Sequence, residues 1–258
     1  MGGAMLGGWL AAGRDPASIT VLDPNPLEAM AKMIVDHGVT HVTKPEDASR
    51  ADLYILAVKP QIIGEVLPTL RDLVDGENAL LSVAAGTTID NLAAPFAPLS
   101  PRIIRAMPNT PAMVQRGVTV CVANAGVSDA QRKAVTAALE AIGDVEWVDD
   151  EALIDAVTGV SGSGPAYVFH LAEALAAAGV RAGLPEELAA KLAQATVSGA
   201  GELMRQSDLD PATLRKNVTS PNGTTQAALE VLMADDGFPS LLERAVAAAT
   251  KRSKELAG

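Results

Sequence analysis

The pattern of hydrophobic and polar positions changes near the middle of the chain. Through the first half, short continuous apolar runs alternate with segments of helical periodicity. Apolar runs of this kind are typical of parallel strands that are buried on both faces of a sheet. The pattern predicts strands at 18–22, 52–58, 78–83, 102–106, 117–122 and 145–148. It predicts helices at 27–37, 62–70, 89–92 and 128–141. This alternation is typical of a doubly wound α/β sheet.

From residue 150 onward nearly all of the chain has helical periodicity. The predicted helices are 151–157, 165–178, 185–204, 211–218, 224–234 and 239–256. Those between 166 and 204 are rich in alanine and glycine and carry little polar surface, so they need cover on most sides. We therefore predict two domains, residues 1–149 and residues 150–258. The second is all-helical and pairs with a second copy of the chain as a symmetric dimer.

Composition and charge exclude several classes of protein. The net charge of −11 argues against a nucleic-acid partner, because phosphate binding needs a basic surface. The single cysteine, Cys121, excludes an intramolecular disulfide and favours a reducing compartment. There is no apolar run typical of a membrane span and no cationic region typical of a secretory signal at the start. We predict a cytoplasmic protein with no membrane segment. No metal site is predicted either, because Gly38 interrupts any helix between His37 and His41.

The first ten residues have the pattern of a helix that follows a glycine-rich turn. Their small residues fall where such a helix would pack on a sheet. The strand and first glycines of a G-x-G-x-x-G fingerprint would lie immediately upstream, so we expect them to be missing from this sequence. A misassigned start, lost residues or an inactive copy would each explain this. Met1 and Gly2 are the candidates here for binding a dinucleotide cofactor.

Asp23 directly follows the predicted strand 18–22. In a dinucleotide-binding fold, an acidic residue at the end of the second strand hydrogen-bonds the adenosine ribose. Asp23 and Asn25 are therefore candidates for that contact. The alternative is that Asp23 only caps the next helix.

Three later strands end in unusual turns. In open α/β sheets, ligands bind beyond the carboxyl ends of the strands, so these turns are expected to line one crevice. The candidates there are Val58, Lys59, Pro60, Ala85, Gly86, Met107, Pro108 and Asn109. The alternative is that any one of them is an ordinary connection between a strand and a helix.

Glycines and serines are concentrated at 159–164, just before Pro165, which suits the first turn of a helix. Such a run lets the backbone approach a ligand or another helix closely. It is either a hinge between the domains or a hinge that also lines the active site.

The segment 218–226 places hydroxyls and backbone donors ahead of a helix N-terminus, which is a favourable site for an anion. No arginine or lysine adjoins it, so a carboxylate suits it better than a phosphate. The alternative is a turn between helices with Ser or Thr capping.

Three motifs together resemble the pyrroline-5-carboxylate reductase family. They are Met107–Pro111, Asp155–Phe169 and Val218–Thr225, in the family's order and spacing, and the resemblance covers essentially the whole chain. It implies a Rossmann-type domain followed by an all-helical domain that forms an intertwined dimer. It also implies reduction of 1-pyrroline-5-carboxylate to L-proline by NADPH or NADH, the last step of proline biosynthesis.

The resemblance implies a role for each group of candidates. The three strand ends would contact the nicotinamide, while Asp23 and Asn25 would face the adenosine ribose. The residues that would border the substrate are Ser161, Gly162, Ser163 and Gly164. The residues that would hold the substrate carboxylate, from the partner subunit, are Ser220, Gly223, Thr224 and Thr225. Thr225 would lie nearest the imine nitrogen and is the catalytic candidate.

The resemblance implies NADP or NAD as the cofactor. Asp23 would repel a 2′-phosphate and favours NAD, whereas the family commonly uses NADPH. One position departs from the family, because Asn222 stands where glycine is frequent; Asn tolerates the left-handed conformation better than most residues.

Two other functions compete with imine reduction. The related β-hydroxyacid dehydrogenases use a lysine on the first long helix of the second domain, and residues 165–178 contain none. A non-catalytic dimeric relative that has lost its nucleotide site is the other alternative. A protonated imine is already a strong electrophile, so we expect the enzyme to supply orientation rather than a strong acid. No single substitution should then abolish the chemistry outright.

Overall fold

The structure is a computed structural model that describes residues 1–257, Ala257 by its backbone alone. The chain forms two compact units, one of residues 1–162 with residues 249–257 and the other of residues 163–248. The predicted domain boundary between residues 149 and 150 is a different division and stays a prediction.

The first unit contains all the strands of the described chain. They are β1 (Thr20–Leu22), β2 (Thr40–Val42), β3 (Leu53–Leu56), β4 (Ala79–Ser82), β5 (Arg102–Met107), β6 (Gly117–Ala123) and β7 (Gly143–Trp147). Strands β1 and β2 form a parallel pair, and β3 to β7 form a five-stranded sheet in chain order. Strand β2 was not predicted, because Thr40 and His41 are polar and exposed and give no apolar run.

The sheet is parallel except between β5 and β6, which are antiparallel. A parallel connection needs a crossover of a dozen or more residues. Residues 108–116 are too few for one, and they carry only a 3-10 turn at Thr110–Val114. The predicted α/β class is confirmed, with a sheet that is mainly rather than wholly parallel.

Two hydrophobic clusters cover the two faces of the five-stranded sheet. Leu80 and Ile103 belong to one cluster and Leu81 and Ile104 to the other, all with 0% exposure. Neighbours along a strand point to opposite faces, so both faces must be covered, as the continuous apolar runs predict.

The helices are α1 (Gly2–Ala11), α2 (Glu28–His37), α3 (Ile63–Val66), α4 (Ile89–Ala93), α5 (Asp129–Leu139), α6 (Leu153–Val157), α7 (Gly164–Arg181), α8 (Glu186–Gln206), α9 (Pro211–Asn217), α10 (Thr224–Leu232) and α11 (Phe238–Ala257). The predicted helix 62–70 is instead a short α3 between 3-10 turns at Pro60–Ile62 and Leu67–Leu70. Pro68 has no N–H to continue the α-helical pattern.

Both tryptophans lie in the first unit. Trp9 of α1 donates its indole N–H to the Ala138 carbonyl at 2.7 Å. Trp147 of β7 donates to Thr136 Oγ1 at 2.9 Å, and the guanidinium of Arg132 lies 4.8 Å from its ring centre. These bonds hold α1 and β7 against the α5 region.

In the second unit, α7 and α8 pack closely against each other. A methyl group at Gly179 would lie 3.3 Å from the Ala189 Cβ, so the absence of a side chain at Gly179 permits this approach. Several large apolar side chains on these two helices remain exposed: Val168, Phe169, Leu171, Leu175, Leu188 and Leu192. Such a surface is typical of a protein interface. Over the described residues, no helix has the length and apolar character required to span a membrane.

Candidate functional site

The N-terminus of α1 lies beside the carboxyl end of β3. A methyl group at Gly2 would be 3.4 Å from the Cβ of Ala57, which directly follows that strand. No described side chain caps this helix, so its first N–H groups have no side-chain partner. Uncapped N–H groups beside small residues suit the anionic diphosphate of a dinucleotide. The predicted candidates Met1, Gly2, Val58 and Lys59 therefore lie at one edge of the sheet.

Asp23 lies at the carboxyl end of β1. Its N–H donates to the Val42 carbonyl at 3.1 Å, and its Oδ1 accepts the Asn25 N–H at 2.9 Å. Helix α2 begins after Leu27. The alternative in which Asp23 caps that helix is therefore wrong. The carboxylate closes a local turn with Asn25 instead.

The loop after β4 contains Ala85 and Gly86 in a tightly constrained conformation. Gly86 has φ +73°, a region that disfavours residues with a side chain. A Cβ there would also be 3.2 Å from the Leu256 carbonyl oxygen of α11. Thr88 ends the loop by accepting the Asn91 N–H at 3.2 Å. Both the dihedral angle and the close contact explain a glycine at this position.

The loop after β5 meets residues 161 and 162. The Asn109 amide oxygen accepts the Val118 N–H at 3.0 Å, and its Nδ2 donates to the Ser161 carbonyl at 3.1 Å. A Cβ at Gly162 would approach the Met107 Cε to 2.7 Å. The first unit therefore brings Met107 and Asn109 together with Ser161 and Gly162.

The glycine- and serine-rich segment is helical rather than an open loop. Residues Thr158–Gly162 form a π-helical turn directly after α6. The hydroxyls of Thr158 and Ser161 donate to the carbonyls of Ile154 and Val157, at 2.8 and 3.0 Å. Single π-helical turns occur frequently at functional sites. The hydroxyl of Ser161, a residue predicted to border the substrate, thus donates to a backbone carbonyl. Ser163 and Gly164 lie in the second unit, at the start of α7.

The segment 218–226 forms a tight turn before α10. Asn222 has φ +58°, which confirms the left-handed conformation expected of it. The Gly223 N–H donates to the Ser220 carbonyl at 3.0 Å, and the Asn222 N–H donates to Gln226 Oε1 at 2.8 Å. No side chain in the described chain caps α10, so the alternative of Ser or Thr capping is wrong for this helix. Ser220 and Thr224 are exposed, and Thr225 is half-buried.

Three polar residues near these loops were not predicted from the sequence. Arg105 of β5, only 4% exposed, pairs with Glu151 Oε1 at 2.9 Å. The same oxygen accepts the Ile89 N–H at 2.9 Å. Ser253 of α11 donates to Asp155 Oδ1 at 2.6 Å. For Arg105, the sequence offers one signal, a charged residue inside the apolar run 103–106. A guanidinium that is buried in this way requires a partner.

Cys121 has no features of a reactive thiol. It is fully buried on β6, and burial raises its pKa to about 12. The thiolate is the nucleophilic form, so this residue is inert at neutral pH. In the part of the chain that the structure describes, no three His, Cys, Asp or Glu residues are grouped as metal ligands would be.

Comparison with known proteins covers both halves of the chain. Residues 151–256 match the family model described as "Pyrroline-5-carboxylate reductase dimerisation". Residues 1–86 match the model described as "NADP oxidoreductase coenzyme F420-dependent". The pyrroline-5-carboxylate reductase of Pseudomonas aeruginosa is 42% identical over 258 residues, 100% of this chain and 93% of that protein.

Two solved structures have the same fold along almost their whole length. The pyrroline-5-carboxylate reductase of Coxiella burnetii has a TM-score of 0.92 and 35% identity, covering 99% of this chain and 94% of that one. The Plasmodium falciparum pyrroline carboxylate reductase with NADP bound has a TM-score of 0.81 and 29% identity, covering 100% and 95%. The likeness thus extends through both units.

Proposed function

The chain belongs to the pyrroline-5-carboxylate reductase family, and from this premise we propose that it reduces 1-pyrroline-5-carboxylate to L-proline, the last step of proline biosynthesis. It is an NAD(P)-dependent oxidoreductase with a Rossmann-type sheet. The observation that carries the proposal is the 42% identity to a named reductase along the full length of the chain. The hydrogen bond between Asn109 and Ser161 also supports the proposal. This bond joins a strand-end loop to the segment that is expected to border the substrate.

We propose that the dinucleotide binds at the carboxyl ends of β1, β3, β4 and β5. When bound, its reduced nicotinamide supplies the hydride. The N-terminus of α1, with Met1 and Gly2, would hold the diphosphate, and Asp23 with Asn25 would hold the adenosine ribose. The residues proposed for the nicotinamide half are Val58, Lys59, Pro60, Ala85, Gly86, Met107, Pro108 and Asn109.

We propose that Asp23 sets the preference between the two cofactors. Its half-buried carboxylate lies at the end of β1, where a 2′-phosphate would meet a like charge. NADH should therefore bind better than NADPH. The relative from Plasmodium falciparum was solved with NADP, so the preference is expected to be a bias rather than an exclusion.

We propose that the turn at 218–226 orients the imine. Ser220, Gly223, Thr224 and Thr225 would hold the substrate carboxylate, and the Thr225 hydroxyl would lie nearest the imine nitrogen. The protonated imine needs no strong acid, so orientation of its carbon is the main contribution. Ser161, Gly162, Ser163 and Gly164 would border the ring.

We propose that the active form is a symmetric dimer through the helices of the second unit. The exposed apolar side chains of α7 and α8 require cover, and residues 151–256 match a dimerisation model. In such a dimer, the carboxylate-binding turn of one subunit would serve the cofactor site of its partner. The cytoplasmic location stays a prediction.

The deciding experiment measures oxidation of NADH and NADPH with pyrroline-5-carboxylate. Turnover that depends on the imine is expected. Reduction of NAD⁺ or NADP⁺ by a 3-hydroxyacid, measured separately, would instead favour the β-hydroxyacid dehydrogenase alternative, which the absence of lysine at 165–178 already disfavours. A folded chain that binds neither cofactor would favour the non-catalytic relative.

A further inference from the structure

The Glu151 side chain connects two of the strand-end loops. Its Oε1 accepts a hydrogen bond from Arg105 Nη1 at 2.9 Å and another from the Ile89 N–H, also at 2.9 Å. These donors lie 46 and 62 residues away in sequence. A single carboxylate oxygen therefore holds two distant parts of the first unit together.

The two donors lie next to the two loops. Ile89 is the first residue of α4, directly after the loop that contains Gly86. Arg105 lies two residues before Met107, where β5 ends. In the sheet, Arg105 is also opposite Ser82, the last residue of β4. The position of Glu151 thus fixes where the loop after β4 ends relative to where the loop after β5 begins.

Burial makes this connection rigid. The Arg105 side chain is 5% exposed and the Glu151 side chain 29%. A guanidinium in such a place must keep its partner, because an unpaired buried charge is costly. Hydrogen bonds that involve charged groups are also shorter and stronger than neutral ones. The carboxylate is therefore held in one place on β5 and presents the same oxygen to Ile89.

The segment that follows Glu151 is held in the same manner. Asp155 accepts the Ser253 hydroxyl at 2.6 Å, and the Ser161 carbonyl accepts from Asn109 at 3.1 Å. Residues 151–161 are thus linked to the β4 loop, to α11 and to the β5 loop. Of these residues, Glu151 contacts both Ile89, where the loop after β4 ends, and Arg105 of β5, the strand that leads into the next loop.

We propose that Glu151 is a positioning residue for the nicotinamide cofactor. It fixes the separation of Ala85–Gly86 and Met107–Asn109 before the cofactor binds. The inference rests on the proposed function, which assigns these two loops to the nicotinamide half. Removal of the carboxylate should weaken cofactor binding and leave binding of the imine unchanged.

The test compares Glu151→Ala with Glu151→Gln and with Glu140→Ala as a matched control. Glu140 is exposed, and no hydrogen bond or ion pair of its side chain is present in the described chain. The readouts are the Kd of NADPH and NADH by fluorescence titration without substrate, the two KM values, and amide hydrogen exchange of residues 84–93 in cofactor-free protein.

Glu151→Ala should raise the cofactor Kd and KM about tenfold, because the cofactor would then have to order the two loops as it binds. The KM for pyrroline-5-carboxylate should stay within about twofold, and Ile89 should exchange faster. Glu151→Gln keeps an acceptor oxygen, so it should restore the Kd to within about threefold of the original value. If Glu151→Ala does not fold, Glu151→Asp replaces it, because its shorter side chain can keep Arg105 while releasing Ile89.

An unchanged cofactor Kd in folded Glu151→Ala would overturn the inference, even if its melting temperature fell. An equal rise in both KM values would also overturn it, since that result indicates a general loss of structure. If the unsubstituted protein binds the cofactor but does not turn over the imine, the proposed function fails. The Kd and exchange data then still decide the role of Glu151. If the protein binds neither cofactor, both proposals fail.

Discussion

The strand-end loops of the first unit and the turn at 218–226 of the second are held by different kinds of interaction. The former depend on side-chain bonds between residues far apart in sequence, such as Arg105 with Glu151 and Asn109 with Ser161. The latter is closed by bonds among near neighbours, Gly223 with Ser220 and Asn222 with Gln226. In the described chain, the hydroxyls of Ser220, Thr224 and Thr225 have no hydrogen-bond partner of their own.

The long-range bonds of the first unit are expected to position the loops, whereas the hydroxyls of the turn are expected to act on the substrate. Substitutions at the first set of residues should change stability and the shape of the loops, because they break contacts on which the fold depends. Substitutions at the hydroxyls of the turn should change the reaction and leave stability nearly intact. Four predictions test this contrast, from the largest expected effect to the smallest.

Arg105→Ala should lower the free energy of unfolding by about 3 kcal/mol. The substitution leaves Glu151 without its partner and opens a cavity on a buried face of the sheet. Urea denaturation followed by far-UV circular dichroism measures the loss. Arg132→Ala is the control on the same unit, because it removes a guanidinium that is only half-buried against Trp147. Equal losses of unfolding free energy in the two variants would contradict a stabilising role for the ion pair between Arg105 and Glu151.

Thr225→Ala should lower kcat/KM about a hundredfold, while the melting temperature stays within about 2 °C, because the hydroxyl acts on the bound imine rather than on the fold. Steady-state kinetics with saturating cofactor measures the change. Thr225→Ser keeps the hydroxyl and should recover most of the activity. An unaltered kcat/KM in the alanine variant would refute the role proposed for Thr225.

Gly86→Ala should destabilise the protein by about 2 kcal/mol and weaken cofactor binding. The residue has φ +73°, and the new methyl group would press on the backbone of Leu256. Thermal unfolding and a cofactor titration measure the two effects. Gly64→Ala is the matched control, since a Cβ there meets no atom within 4 Å and α3 favours alanine. A stabilising Gly86→Ala would mean that the loop relaxes freely.

Asp23→Ser should shift the ratio of the two cofactor Kd values about tenfold toward NADPH. The serine hydroxyl can still accept the Asn25 N–H, so the turn should remain while the charge is removed. Parallel titrations with NADH and NADPH give the ratio. If the ratio does not move, the carboxylate does not select between the cofactors.

The sequence predicted most of the elements but not the links between them. Continuous apolar runs predicted six of the seven strands, because burial on both faces of a sheet leaves that pattern. The left-handed conformation of Asn222 was expected because asparagine tolerates it and because glycine is frequent at this position in the family that the chain resembles. The three-residue strand β2 and the antiparallel pairing of β6 have no such local pattern. Their formation depends on neighbouring strands.

The polar links were missed for a related reason. Glu151 resembles any acidic residue near the start of a helix, and its partners lie 46 and 62 residues away. Ser253 and Asp155 are 98 residues apart. Only Arg105, a charge within an apolar run, carries a sequence signal from which the need for a partner could have been predicted. The π-helical turn was also unforeseen, because glycine and serine are as frequent in open loops.

The placement of Trp9 and Trp147 makes the two units distinguishable by spectroscopy. They are the only tryptophans of the chain, and both lie in the first unit. Intrinsic fluorescence excited at the indole band therefore reports the melting of that unit alone. Far-UV ellipticity at the helical minima is dominated by α7, α8 and the other long helices. Superimposable curves from the two signals would indicate one cooperative transition, whereas separated curves would indicate two.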